Sequence, residues 1–322
     1  MHIRRWTSLL LAVALAVGVG APAAATDAGD PAVQATTLLD LSGLASIPGV
    51  CCKGDAEPAV RLLAAHDAKD PKENDRPRIS ILTLTGTPEG VTWQPLDLDW
   101  SDLAQGPPDD LESAAAIPGT NSSLVVESGD DGSDFRRIFH IEVAADANAA
   151  RLVEAVEWPV DLFNVEGTAV AAVDDGYLFV YAERAQGEAT TMIRWAPMEL
   201  SPLSFGTFEE AAFTSPAVLG DDDRPVSAME IATDGSLYVA SAHDEDDDDG
   251  PFSSTIWLAG QVASGADVAI EVADAPRLIA TLDAFKAESL AMVTAADGSQ
   301  QLYVGTDDEN LGGVLRPVPD TD

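Results

Sequence analysis

The chain is poor in the groups on which many reactive sites are built. Its only cysteines, Cys51 and Cys52, are adjacent. Neighbouring Cα atoms lie about 3.8 Å apart, shorter than ordinary disulfide geometry, so a bond between them would stiffen a turn, and no redox role is assigned to them. Four histidines, one of them at position 2, are too few for a zinc site built on spaced histidine pairs. No glycine-rich phosphate loop and no Gly-x-Ser-x-Gly elbow occurs. Basic residues number only 17 against 55 acidic ones, which excludes nucleic acid as a partner because phosphate backbones require basic patches. Beyond the N-terminus, no uninterrupted apolar run has the length of a membrane span.

The first 25 residues, MHIRRWTSLLLAVALAVGVGAPAAA, have a basic start, a short apolar middle and an Ala-x-Ala end. This is the pattern of an export signal cleaved before Thr26. The WTSLL that follows Arg4 and Arg5 fits the general secretory route better than the twin-arginine one. The mature protein, residues 26–322, is expected to be a single domain, soluble, monomeric, and secreted or periplasmic. The signal holds two basic residues and no acid, so the mature net charge is 15 − 55 = −40. Such a surface is well solvated, suits high salt and invites divalent cations. The run HDEDDDDG (243–250) resembles a calcium loop, yet Ile256 stands where the closing glutamate belongs, and the run reads as an acidic surface loop.

An internal repeat of about sixty residues organises the remainder. Five segments, DLSGLASIPG, DLESAAAIPG, NVEGTAVAAV, PVSAMEIATDG and KAESLAMVTAADG, each place a serine or glutamate at the head of a small-residue apolar run. Each is followed by a second apolar run and then a third, and three of the first joints contain Asp-Gly, a hairpin signal. A fourth strand is visible after the early units. The last unit lacks one, while VQATTLLDL (33–41) supplies an orphan strand ahead of the first. An orphan at one end and a deficit at the other is how a ring closes and hides its edges. The expectation is an all-β five-bladed β-propeller with four-stranded blades, closed by the N-terminal strand of the mature chain. A β-sandwich accounts for neither the repeat nor the split last blade.

In a propeller the first strand of each blade lines the central channel, so the slots Ser42, Glu112, Glu166, Ser227 and Glu288 should meet in space. Three carboxylates on a narrow axis repel one another unless a cation sits among them. An all-oxygen donor set selects a hard cation, Ca²⁺ before Mg²⁺. The alternative is that these side chains cap the blades through hydrogen bonds to backbone.

The slot residues, read in LSGL, LES, VEG, VSA and AES, resemble those of the calcium-activated nucleotidases (apyrases). That resemblance implies a secreted five-bladed propeller with one axial calcium held by Ser42, Glu112, Glu166, Ser227 and Glu288. The VEG and AER segments are also similar to those of phytase-like esterase propellers. The apyrase pattern has an aspartate after the first serine; this chain has Gly43.

If the loops after the second strands lie over the calcium, as the resemblance implies, HDAK contributes His66, Asp67 and Lys69, ESGD contributes Glu127, and AER contributes Glu183 and Arg184. Asp67 would then act on a water, with Lys69 and Arg184 balancing charge on a phosphate. A solvated turn is the alternative for Asp67 and Lys69, and a local ion pair for Glu183 and Arg184. Two functions follow: a calcium-dependent hydrolase of phosphoanhydrides or phosphoesters, or a non-catalytic exported propeller with structural calcium that binds a glycan or protein.

Overall fold

The computed structural model describes residues 39–47, 60–67, 76–84, 90–130, 135–174, 176–218, 220–245, 247–263, 268–295 and 297–319. The export signal, Cys51, Cys52 and Lys69 lie outside them. Among the described residues there are twenty strands, and the only helix is the 3-10 turn Glu309–Leu311. No helix there is long and apolar enough to cross a membrane.

The strands form five antiparallel sheets, each a chain-order meander. The first contains β1 (Gly43–Ser46), β2 (Val60–Ala65), β3 (Ile79–Leu84) and β4 (Val91–Leu96). The second runs through β5 (Leu111–Ala116), β6 (Ser122–Glu127), β7 (Arg137–Val143) and β8 (Ala150–Glu157). The third comprises β9 (Val165–Val173), β10 (Gly176–Glu183) and β11 (Thr190–Leu200), with both β12 (Leu203–Phe205) and β13 (Glu209–Thr214) paired to β11. The fourth has β14 (Asp223–Ile231), β15 (Ser236–His243), β16 (Ser253–Ala263) and β17 (Ala269–Asp283). The fifth has β18 (Ala287–Thr294), β19 (Gln300–Thr306) and β20 (Leu315–Pro317).

The first strands β1, β5, β9, β14 and β18 pack on one another in a closed circle. Their residues are almost all buried, as a strand covered on both faces requires, whereas outer strands such as β8 alternate or lie exposed. Five hydrophobic cores fill the five gaps between neighbouring sheets. Leu63, Ile81, Val125 and Phe139 join the first and second, and Phe179, Tyr181 and Trp158 the second and third. Val180, Trp195, Val239 and Trp257 join the third and fourth, and Ala240, Ile256, Leu290 and Val304 the fourth and fifth. Leu44, Leu62, Ala291 and Leu315 complete the circle between the fifth and first. This is the five-bladed β-propeller.

Closure is held by the chain before β1. The Leu41 N–H donates to Thr306 O at 3.1 Å, and Ser289 Oγ donates to Leu41 O at 2.5 Å. The last sheet shows three strands among the described residues, and most of the segment expected to supply its fourth, 33–38, falls outside them.

Candidate functional site

All five slot residues are buried, none more than 5% exposed. Their placement has a common backbone cause. The pairing of β5 with β6 slips at Glu112, that of β9 with β10 at Glu166, and that of β18 with β19 at Glu288. Each glutamate is thus the extra residue of a β-bulge, which frees its side chain from the alternation of the strand and re-aims it. In β14 the slip is larger, with Pro225, Val226 and Ser227 set against Ser241 alone. The residues two positions before Glu112 and Glu166, Asp110 and Asn164, both sit at φ 54°, a left-handed conformation that Asp and Asn tolerate well.

The bulges bring Glu112, Glu166 and Glu288 together, with one carboxylate oxygen from each within 4.8 Å of the others. A second acidic group, Asp67, Asp110 and Glu112, meets the same distance and shares Glu112. The two serines take part differently. Ser227 Oγ donates to Ala287 O at 2.7 Å, and Ser42 Oγ accepts the Asp67 N–H at 3.3 Å. Both serines therefore make the backbone contacts of the capping alternative, while each hydroxyl oxygen keeps a lone pair.

Basic side chains penetrate the same region. Arg184 Nε donates to Glu166 Oε1 at 2.5 Å. Arg224 Nη1 donates to Glu288 Oε1 at 2.8 Å and lies 3.8 Å from Glu166 Oε2, and its Nη2 donates to Asp244 Oδ2 at 2.7 Å. Lys286 is 2% exposed and lies among Glu288 (3.3 Å), Asp244 (3.4 Å), Asp307 (3.6 Å) and Glu309, with the Phe252 ring 5.7 Å from its Nζ. Burial pushes the Glu166 carboxyl above its usual range against the pull of Arg184 and Arg224. It likewise pushes Asp307 well up, reinforced by Glu288. Burial opposes charge on Arg184 and Lys286 too, but their carboxylate neighbours outweigh it and hold both firmly protonated.

Sequence reasoning missed Arg224, Lys286, Asp110 and Asp244. For Asp110 and Lys286 a signal was available: the position two before each slot reads Asp40, Asp110, Asn164, Pro225 and Lys286, polar in four of five repeats. The supposed Glu183–Arg184 pair does not form. Glu183 instead accepts the Phe163 N–H at 2.8 Å and Arg194 Nη1–H at 3.1 Å. Glu127 does not reach the cluster as a free group, being fully buried against Arg137 at 2.5 Å. Asp244, in the acidic run read as a surface loop, is 4% exposed and bound to Arg224.

Gly43 also has a structural reason. A Cβ there would sit 2.6 Å from Ala114 N and 2.7 Å from Ser113 C, inside the β1–β5 contact. No aspartate fits.

No protein-family model matches the sequence, and no curated protein does. Solved structures match in shape. A thermostable family-43 glycoside hydrolase is 12% identical with a TM-score of 0.51, covering 88% of this chain and 89% of that one. The Bombyx mori GH32 beta-fructofuranosidase BmSUC1 is 10% identical (89% and 62% covered, TM-score 0.44), and the Kuenenia stuttgartiensis hydrazine synthase 12% (82% and 60%, TM-score 0.36). This chain spans less than two thirds of the latter two. At these identities the likeness shows the fold alone.

The donor set itself fits a hard cation. It offers only oxygen, from three carboxylates on three blades, with Asp67 and Asp110 adjoining. Arg184 and Arg224 offset two of the three glutamate charges.

Proposed function

We propose that this chain is an exported β-propeller that binds one Ca²⁺ through Glu112, Glu166 and Glu288, with Ser42 and Ser227 completing the ring, and acts as a calcium-dependent hydrolase of phosphoesters or phosphoanhydrides. The observation that carries the reading is the convergence of three buried glutamates from three blades within 4.8 Å. Bound calcium would polarise a phosphoryl oxygen. Asp67, in the acidic group that shares Glu112, takes a proton from the attacking water. Arg184 balances phosphate charge while holding Glu166, and Lys69 is assigned the same charge-balancing role by its sequence position.

A second reading is favoured by one observation: the arginines already engage Glu166 and Glu288, and the ring is nearly fully buried. Calcium would then be structural, fixing blades around the axis, while surface loops bind a glycan or protein.

Melting at low salt with and without calcium tests the shared claim. Calcium at a hundred times its Kd should add about 2.7 kcal/mol of stability. Glu166→Gln should abolish most of the shift; equal melting of calcium-loaded and chelated protein refutes the site. Phosphate release from nucleotides or simple esters separates the two readings. Under the hydrolase reading it stops with chelator, and Asp67→Asn lowers turnover more than calcium affinity. Calcium-loaded protein that releases no phosphate supports the structural reading.

A further inference from the structure

The fourth blade holds a second constellation. Asp223 lies directly across the sheet from His243, and His243 directly across from Ser253. Opposed residues on neighbouring antiparallel strands project from one face with Cβ atoms about 5 Å apart, so three strands set out a row in the order Asp, His, Ser. His243 Nδ1–H donates to Asp223 Oδ1 at 2.7 Å, since a carboxylate can only accept. Asp223 Oδ2 accepts the Gly220 N–H at 2.8 Å, so the carboxylate is held through both oxygens. The ring's other nitrogen, Nε2, has only a long contact of 3.4 Å, to the half-exposed Glu245.

A cavity of about 420 Å³ opens on this row, lined by all three residues and by Arg224 and Thr255. Thr255, two residues along β16 from Ser253 and so on the same face, has its Oγ1 buried without a hydrogen-bond partner. Orphaned buried donors are uncommon in folded proteins. A buried donor beside a serine and an oriented histidine is what a developing oxyanion requires.

We propose that this cavity is a second active site, which hydrolyses small carboxylic esters with Ser253 as nucleophile. His243 Nε2 takes the Ser253 proton as Oγ bonds to the carbonyl carbon, and Thr255 Oγ1–H stabilises the oxyanion. The carbon–oxygen bond to the alcohol then breaks, and the histidine returns the proton to the leaving alkoxide. Water, deprotonated by His243, attacks the acyl-serine, releasing the carboxylic acid and restoring the serine hydroxyl. Asp223 is a positioning residue that keeps Nε2 facing the serine. The site requires no calcium and stands independently of the axial reading.

Intact protein treated with a fluorophosphonate probe should be labelled at Ser253, as read by peptide mass. It should hydrolyse p-nitrophenyl acetate equally with and without chelator. Ser253→Ala should fall to the background rate and His243→Gln should lose about 100-fold or more. Asp223→Asn should lower kcat with KM unchanged. Labelling of wild-type protein does not depend on whether a variant folds. Absence of label, label on a different serine, or unaltered turnover in Ser253→Ala overturns the proposal.

Discussion

Glu230 lies on β14, 8% exposed, in a part of the fourth blade that faces the fifth, far from any basic partner named above. Burial pushes its pKa from 4.5 up to about 8, with only a hydrogen bond from the Met292 backbone opposing the rise. The folded chain therefore holds a proton here that the unfolded chain gives up from pH 4.5 upward. Stability from this group is fully present below pH 4.5, erodes as pH rises and is lost by about pH 8. A gap of roughly 3.5 pH units at 1.36 kcal/mol each corresponds to about 5 kcal/mol, a large part of a typical folding free energy of about 5–15 kcal/mol. Glu230→Gln keeps the shape and an acceptor for Met292 but cannot ionise. Urea unfolding of wild type and variant at pH 5 and pH 8 measures the effect, with every other titration cancelling in the difference. The variant should be close to wild type at pH 5 and more stable by about 3–5 kcal/mol at pH 8. An equal difference at both pH values would refute the burial argument.

Gly43→Ala should destabilise the protein by about 3 kcal/mol in denaturant titrations, because the added Cβ meets backbone atoms of β5 that have no room to yield. Gly43→Asp, which introduces the aspartate of the apyrase pattern, should destabilise it further. His66 is buried between Asp40 O and Ser80 Oγ, both at 2.7 Å, and burial lowers its pKa from 6.5 to about 4. Its contribution is present above pH 6.5 and lost as pH falls through 4, a change of about 3 kcal/mol that His66→Gln should remove from the pH dependence of unfolding.

The propeller was legible because its physics is periodic. Five small-residue runs and their Asp-Gly turns mark the inner hairpins, and the closing arithmetic of strands follows from counting. The convergence of Glu112, Glu166 and Glu288 followed from the same count. The bulges that aim them did not, since an extra residue in one strand leaves no trace in an apolar run. The third blade's additional strand β13, EEAAFT, is too polar to read as sheet and forms because β11 is long enough to pair with two segments. Arg184 was placed at the site by position, but its partner was misread: hairpin register sets it beside Glu166, 18 residues away, rather than its chain neighbour. Arg224 and Lys286 were missed because they belong to blades whose slots drew attention to oxygen donors alone.

The bond from Ser289 Oγ to Leu41 O spans 248 residues of chain. As synthesis proceeds from the N-terminus, the first blade's inner strand has its own hairpin partner early but waits for almost the whole polypeptide before its other flank is covered. Contacts of such separation form late and slow the overall rate. Until then, Leu44, Leu62 and Leu82 face solvent instead of Ala291 and Leu315. The nascent chain thus carries a sticky, half-built ring whose last gap closes only with its final forty residues or so, and its dependence on helper proteins should be greatest in that interval.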